Sequence, residues 1–131
     1  MSDRYRRGVD IAGILAPGGL EQFLTSRVAE VAPDFARMAV EFPLGDLYTR
    51  DALDLRSREI VAIAALAMAG NAQSQLRAHV RAALQLGVSR EEVVEILMQC
   101  AVYGGFPRAL NALADCHDLL TDQNCVATCR S

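Results

Sequence analysis

LDLRSREIVAIAALAMAG, residues 53–70, decides the fold. Asp54 is of the residue type that accepts hydrogen bonds from the first free N–H groups of a helix. After it, Leu55, Glu59, Ile63 and Leu66 recur at three- and four-residue spacing on one helical face, with Ile60, Ala64 and Ala67 on another. No period-two alternation competes. The apolar run from Ile60 to Gly70 is 11 residues long, whereas a membrane span needs about 20. The spacing therefore predicts a helix from about 55 to 69. Apolarity on nearly all its sides calls for deep burial or for contact with another copy of the chain.

The same spacing recurs outward in both directions, which makes the chain all-α with about six to seven helices and no strands. A first helix runs from Ser2 or Asp3 to about Leu15, and Ala16-Pro17-Gly18-Gly19 closes it. Leu20, Phe23, Leu24 and Val28 mark a second. Pro33 opens a third, with Phe35, Met38, Ala39 and Phe42 facing inward and an end near Phe42-Pro43. Residues 43–54, PLGDLYTRDALD, read as a structured connection able to line a site.

Beyond residue 70, Gly70-Asn71 breaks the chain. A helix from about 72 to 86 carries Leu76, Val80, Ala83 and Leu84, and Gly87 supplies its left-handed cap. Ser89 with Glu92 forms a capping box for a helix reaching Tyr103. Gly104-Gly105 stop it, and Pro107 opens a last helix with Leu110, Leu113, Ala114 and Leu120. Residues 121–131 lose periodicity and are expected to be flexible, which leaves a core of about 20–120 in one domain spanning 1–131.

The chain has 131 residues, 52% of them apolar and 22% charged, the balance of an ordinary globular protein. Thirteen basic against 16 acidic residues give 13 − 16 = −3, and no basic face carries interleaved aromatics, so nucleic acid is not an expected partner. All 13 basic residues are arginine. Lysine Schiff-base chemistry, pyridoxal-phosphate enzymes included, is thereby excluded. The basic N-terminus precedes no long apolar segment, so neither a signal peptide nor a membrane span is expected, and the localisation expected is cytoplasmic. In that compartment Cys100, Cys116, Cys125 and Cys129 are expected to be free thiols. Their spacing suits neither a redox pair nor a zinc site, and no metal is expected. A nucleophile elbow and a phosphate loop are both lacking.

Two histidines bound the acid–base chemistry to His79 or His117. His79 lies between Gln75 and Ala83 on a largely apolar stripe of its helix, while Arg77 and Arg81 point elsewhere. Two readings stay open: a buried neutral core histidine, or an acid–base group. Glu59, a carboxylate on an apolar face, must be paired or protonated. It either bridges to Arg56 on its own helix or serves as a proton partner.

The blocks GDLYTR (45–50), LDLRSREIVAIAALAMAG (53–70), QLRAHVRAALQLGVSREEVVEIL (from 75) and AVYGGFPRALNAL (from 101) resemble, in order, the carboxymuconolactone decarboxylase family, which shares its fold with the alkylhydroperoxidase AhpD. The resemblance implies an AhpD-like helical homo-oligomer, commonly a trimer or hexamer, with sites near subunit contacts. The peroxidase branch of that family carries Cys-x-x-Cys-x-x-x-His. Here those positions are Ala72, Gln75 and His79, so the chain resembles the decarboxylase branch, which keeps the histidine alone.

That resemblance implies His79 as general acid/base and Glu59 as its catalytic companion. Tyr48, Arg50, Arg77, Arg81 and Tyr103, all within or beside the motif blocks, are the candidates for binding a small anionic substrate. The implied reaction is cofactor-free decarboxylation of 4-carboxymuconolactone to the 3-oxoadipate enol-lactone, in bacterial breakdown of aromatic compounds. The alternatives are alkylhydroperoxidase or peroxiredoxin activity, and a non-catalytic oligomeric binding relative.

Overall fold

Ser2 begins the chain's first helix as its residue type demands: its Oγ accepts a hydrogen bond from the Tyr5 amide at 3.2 Å. The computed structural model describes residues 1–121 and divides into two compact units, Met1–Arg58 and the stretch from Glu59 on. Every regular element among the described residues is helical. None of these helices is long and apolar enough to cross a membrane. Cys125, Cys129 and the reading of residues 122–131 as a flexible tail lie outside the described residues.

The first unit contains α1 (Asp3–Leu15), α2 (Gly19–Leu24), α3 (Arg27–Val31), α4 (Pro33–Val40) and a π-helical segment, Glu41–Leu47. Where the sequence suggests one helix through Leu20 and Val28, there are two. The Thr25 hydroxyl donates back to the Glu21 carbonyl at 2.9 Å, and the Ser26 hydroxyl accepts from the Ala29 amide to start α3. Side-chain hydroxyls thus take over bonds that a continuous helical ladder would use.

Two further expectations are corrected in this unit. Pro43 does not end the helical path. The turn widens instead, with the Tyr48 amide reaching back to the Pro43 carbonyl at 2.9 Å, and a wider turn accommodates a proline ring that an α-helical interior would not. Phe35, Met38 and Phe42 do not face inward: they are 64%, 56% and 56% exposed, while Ala36 and Val40 are buried. The reason is a close crossing of backbones. A Cβ on Gly8 would strike the Val40 carbonyl, and one on Gly45 the Arg4 carbonyl, so small residues occupy the contact and large ones are turned outward. Arg4 clamps this crossing by a two-pronged pair with Asp46 at 2.7–3.1 Å, and Arg7 donates to the Gly45 carbonyl at 3.1 Å.

Helix α5 (Leu55–Ala69) starts at Asp54, whose Oδ1 accepts from the Ser57 amide at 2.7 Å. From Glu59 onward the second unit continues through α6 (Gln73–Gln85), α7 (Arg90–Gly104), α8 (Phe106–Asp115) and α9 (His117–Leu120). Gly87 adopts the positive φ expected of a left-handed cap, Gly70 and Asn71 do so at the break between α5 and α6, and the Ser89–Glu92 capping box is formed in both directions. Ile63, Leu76, Val80, Val93, Leu97 and Ala112 make the buried centre.

The last helix of the sequence reading is interrupted at Cys116, between α8 and α9. The Asp115 carbonyl, which an unbroken helix would offer to the Leu119 amide, accepts instead from Arg77 at 2.7 Å, and the Leu119 amide turns to the Cys116 carbonyl. Arg77 also grips Asp118 at 2.7 and 2.9 Å. That pairing holds the Asp118 carboxyl down at about 2, from an ordinary 3.8.

Candidate functional site

The buried stripe of α5 in this unit is Glu59, Ile63 and Ala67, one residue per helical turn. Two of these are ordinary core residues. Glu59 is a carboxylate with no exposed surface at all, and burial of such a group demands a partner. The partner comes from α6, whose buried stripe is Leu76, Val80 and Ala83. His79 stands beside that stripe, three residues after Leu76.

The chain turns back through left-handed Gly70 and Asn71, so that two residues 20 positions apart meet with His79 Nδ1 2.7 Å from Glu59 Oε2. The imidazole is half-buried, with 32% of its side chain exposed. It is therefore not the sealed core histidine that its apolar stripe allowed. Glu59 Oε1 is buried and has no hydrogen-bond partner among the described residues.

A carboxylate can only accept, so with Glu59 ionised the imidazole proton sits on Nδ1 and Nε2 is left as the working nitrogen. The carboxylate then fixes the ring's tautomer and orientation and stabilises the imidazolium formed when Nε2 takes up a proton. Such a pair can relay a proton between Nε2 and a bound molecule.

The remaining residues singled out from the sequence fall in several places. Tyr48 and Arg50 belong to the first unit, where Tyr48 lies under the Arg58 guanidinium at 5.8 Å and the Arg50 carbonyl accepts from Arg58 at 3.2 Å. In the second unit, Arg77 is engaged by Asp118 and the Asp115 carbonyl. Arg81 is exposed on α6, and Tyr103, 81% exposed, stands on α7. His117, the other histidine, is exposed at the start of α9.

Cys100 and Cys116 are free and buried, and burial pushes both thiols above their ordinary range, away from the thiolate that redox chemistry requires. Among the described residues no group of three or more His, Cys, Asp or Glu side chains is placed to hold a metal ion. Sequence reasoning missed a polar stripe on α8, Arg108, Asn111 and Asp115, which lines a cavity together with Gln73. Its helical spacing was readable, but which way it faces was not.

The described residues thus form a helical protein whose second unit buries a carboxylate against a half-exposed imidazole. The model of the carboxymuconolactone decarboxylase family matches residues 33–114, and the chain belongs to that family. Among curated relatives it is 27% identical over 120 residues, 91% of this chain and 88% of the relative, to the 4-carboxymuconolactone decarboxylase of Acinetobacter baylyi. It is also 31% identical over 107 residues, 81% of this chain and 79% of the relative, to an uncharacterized 15.0 kDa protein of Paracoccus denitrificans encoded between nqo9 and nqo10.

Proposed function

We propose that this protein is a cofactor-free carboxy-lyase acting on a small carboxylated lactone or related carbonyl acid, with His79 as the general acid/base. The observation that carries the reading is the 2.7 Å contact between His79 Nδ1 and buried Glu59, in a family that includes a 4-carboxymuconolactone decarboxylase. Loss of CO2 breaks a carbon–carbon bond and leaves its electron pair on the substrate. A chain without lysine offers no imine to receive that pair, so the conjugated lactone carbonyl of the substrate takes it. His79 Nε2 then delivers a proton to the resulting enolate, and Glu59, acting through the ring, holds the imidazole in place and balances its charge.

Within the second unit we assign Arg81 and Tyr103 to the substrate's carboxylate and ring, since a guanidinium fork matches a carboxylate. Arg77 belongs to the same assignment only if substrate displaces its present partners. The reading includes assembly into a homo-oligomer, a trimer or hexamer. Large apolar side chains open to solvent on the single chain favour this: Phe35, Met38 and Phe42 in the first unit, Val61, Val102 and Phe106 in the second.

The test pairs turnover with folding. His79→Gln keeps hydrogen bonding and approximate volume but cannot shuttle a proton. It should lower decarboxylation of 4-carboxymuconolactone by about 10² or more while circular dichroism and light scattering stay at wild-type values. A folded His79→Gln protein with full turnover removes His79 from the mechanism.

A further inference from the structure

We propose that the cavity beside the α5–α6 turn is a second ligand site, for a small hydroxycarboxylate, in which Arg108 holds the carboxylate and Asp115 accepts from the hydroxyl. The cavity is a half-open recess of about 430 Å³, within the range of small-molecule sites. Neither His79 nor Glu59 lines it, and the inference does not rest on the decarboxylase reading. Leu66, Ala67 and Leu76 are among its lining residues, and α8 supplies Arg108, Asn111, Ala112 and Asp115.

The stripe that α8 turns toward the protein is apolar: Ala109, Ala112, Leu113 and Cys116 follow the i, i+3, i+4, i+7 spacing, with Ala109, Ala112 and Cys116 buried. Arg108, Asn111 and Asp115 flank that stripe on the side of the cavity, where Arg108 and Asn111 remain exposed. Their polar groups are therefore open to a ligand that enters the recess.

The chemistry of the wall selects the ligand. Among the described residues Arg108 makes no ion pair, and its Nε lies over left-handed Gly70, 3.5 Å from where a Cβ would stand. Arg108 is exposed at the cavity with donors to spare, and a planar carboxylate satisfies them. The Asp115 side chain likewise makes no ion pair; only its carbonyl is used, by Arg77. A second acidic group on the ligand, or a phosphate dianion, would meet repulsion from this carboxylate, whereas a hydroxyl donates to it. Asn111 stands between the two and can serve either end. Seven residues at a rise of about 1.5 Å separate the charged ends by roughly 10 Å along α8. Both side chains line the same cavity, and a ligand carrying a carboxylate and a hydroxyl on a short carbon skeleton offers one group to each.

The experiment titrates the full-length ¹⁵N-labelled chain with 3-hydroxybutyrate through the millimolar range, with 1,3-butanediol, butyrate and inorganic phosphate as comparators. Saturable shifts confined to amides of residues 70–76 and 108–115 are expected. Arg108→Gln should weaken them about tenfold or more, and Asp115→Asn should weaken 3-hydroxybutyrate while leaving butyrate unchanged. Butanediol and phosphate should bind more weakly than 3-hydroxybutyrate. Should Arg108→Gln fail to fold, the order of the four ligands on the wild-type chain still decides. The proposal is overturned by absence of saturation, by undiminished binding in a folded Arg108→Gln, by phosphate or butanediol binding as well as the acid, or by shifts centred on Glu59 and His79.

Discussion

Replacing His79 by leucine and, separately, Glu59 by leucine should give very unequal losses of stability, although each removes one half of the same 2.7 Å contact. His79→Leu leaves the Glu59 carboxylate fully buried, with Oε1 already unpartnered among the described residues and Oε2 newly so. Removing one partner of a buried ion pair costs about 3–5 kcal/mol. The imidazole is 32% exposed, so water reaching the gap it leaves should reduce the loss to about 2–3 kcal/mol. Glu59→Leu removes the buried charge itself, substitutes an apolar side chain of similar volume, and leaves an imidazole that can turn toward solvent. Its cost should stay within about 1 kcal/mol, and it could stabilise.

For a chain of this length each kcal/mol moves the melting temperature by about 3–5 °C. His79→Leu should therefore lower it by about 6–15 °C, and Glu59→Leu by no more than about 5 °C. The Glu59→Leu/His79→Leu double variant should recover most of the His79→Leu loss. Urea unfolding at pH 7 and one fixed protein concentration measures all four proteins, because self-association would otherwise shift the apparent values. Equal losses in the two single variants, or a larger loss for Glu59→Leu, would show that the cost of the buried carboxylate has been misjudged.

The glycines give a graded test: Gly45→Ala drives a methyl group into the Arg4 backbone and should cost about 1–3 kcal/mol or more, whereas Gly104→Ala meets only the movable Met68 side chain and should cost less. Both are read by thermal melts. Ser89→Ala removes one arm of the capping box on α7 and should cost about 0.5–2 kcal/mol by urea unfolding. The Arg77–Asp118 pair holds a folded-state carboxyl at about 2 against an ordinary 3.8. Its stabilisation is therefore present above about pH 4 and lost as pH falls toward 2. Asp118→Asn should be slightly less stable than wild type at pH 7 and equal to it near pH 2, as measured by acid-titrated melting curves.

Much of the second unit is decided by local chemistry. Asp54 starting α5, the Gly70-Asn71 reversal, the left-handed Gly87 and the Ser89–Glu92 box are each properties of one or a few neighbouring residues, so the chain dictates them wherever it folds. The absence of lysine and of a dithiol before His79 likewise narrows the chemistry without reference to coordinates. Tertiary structure decided what spacing cannot. Phe35, Met38 and Phe42 share a helical face with the expected period, but backbones crossing at Gly8 and Gly45 left room only for Ala36 and Val40 inside. The Cys116 break follows from Arg77 capturing a carbonyl 38 residues away. Glu59 had a possible partner three residues off on its own helix, and the fold gave it His79 from the next one. A helical period fixes which residues share a face. Which face is buried, and what meets the charge within it, depends on the element packed against it.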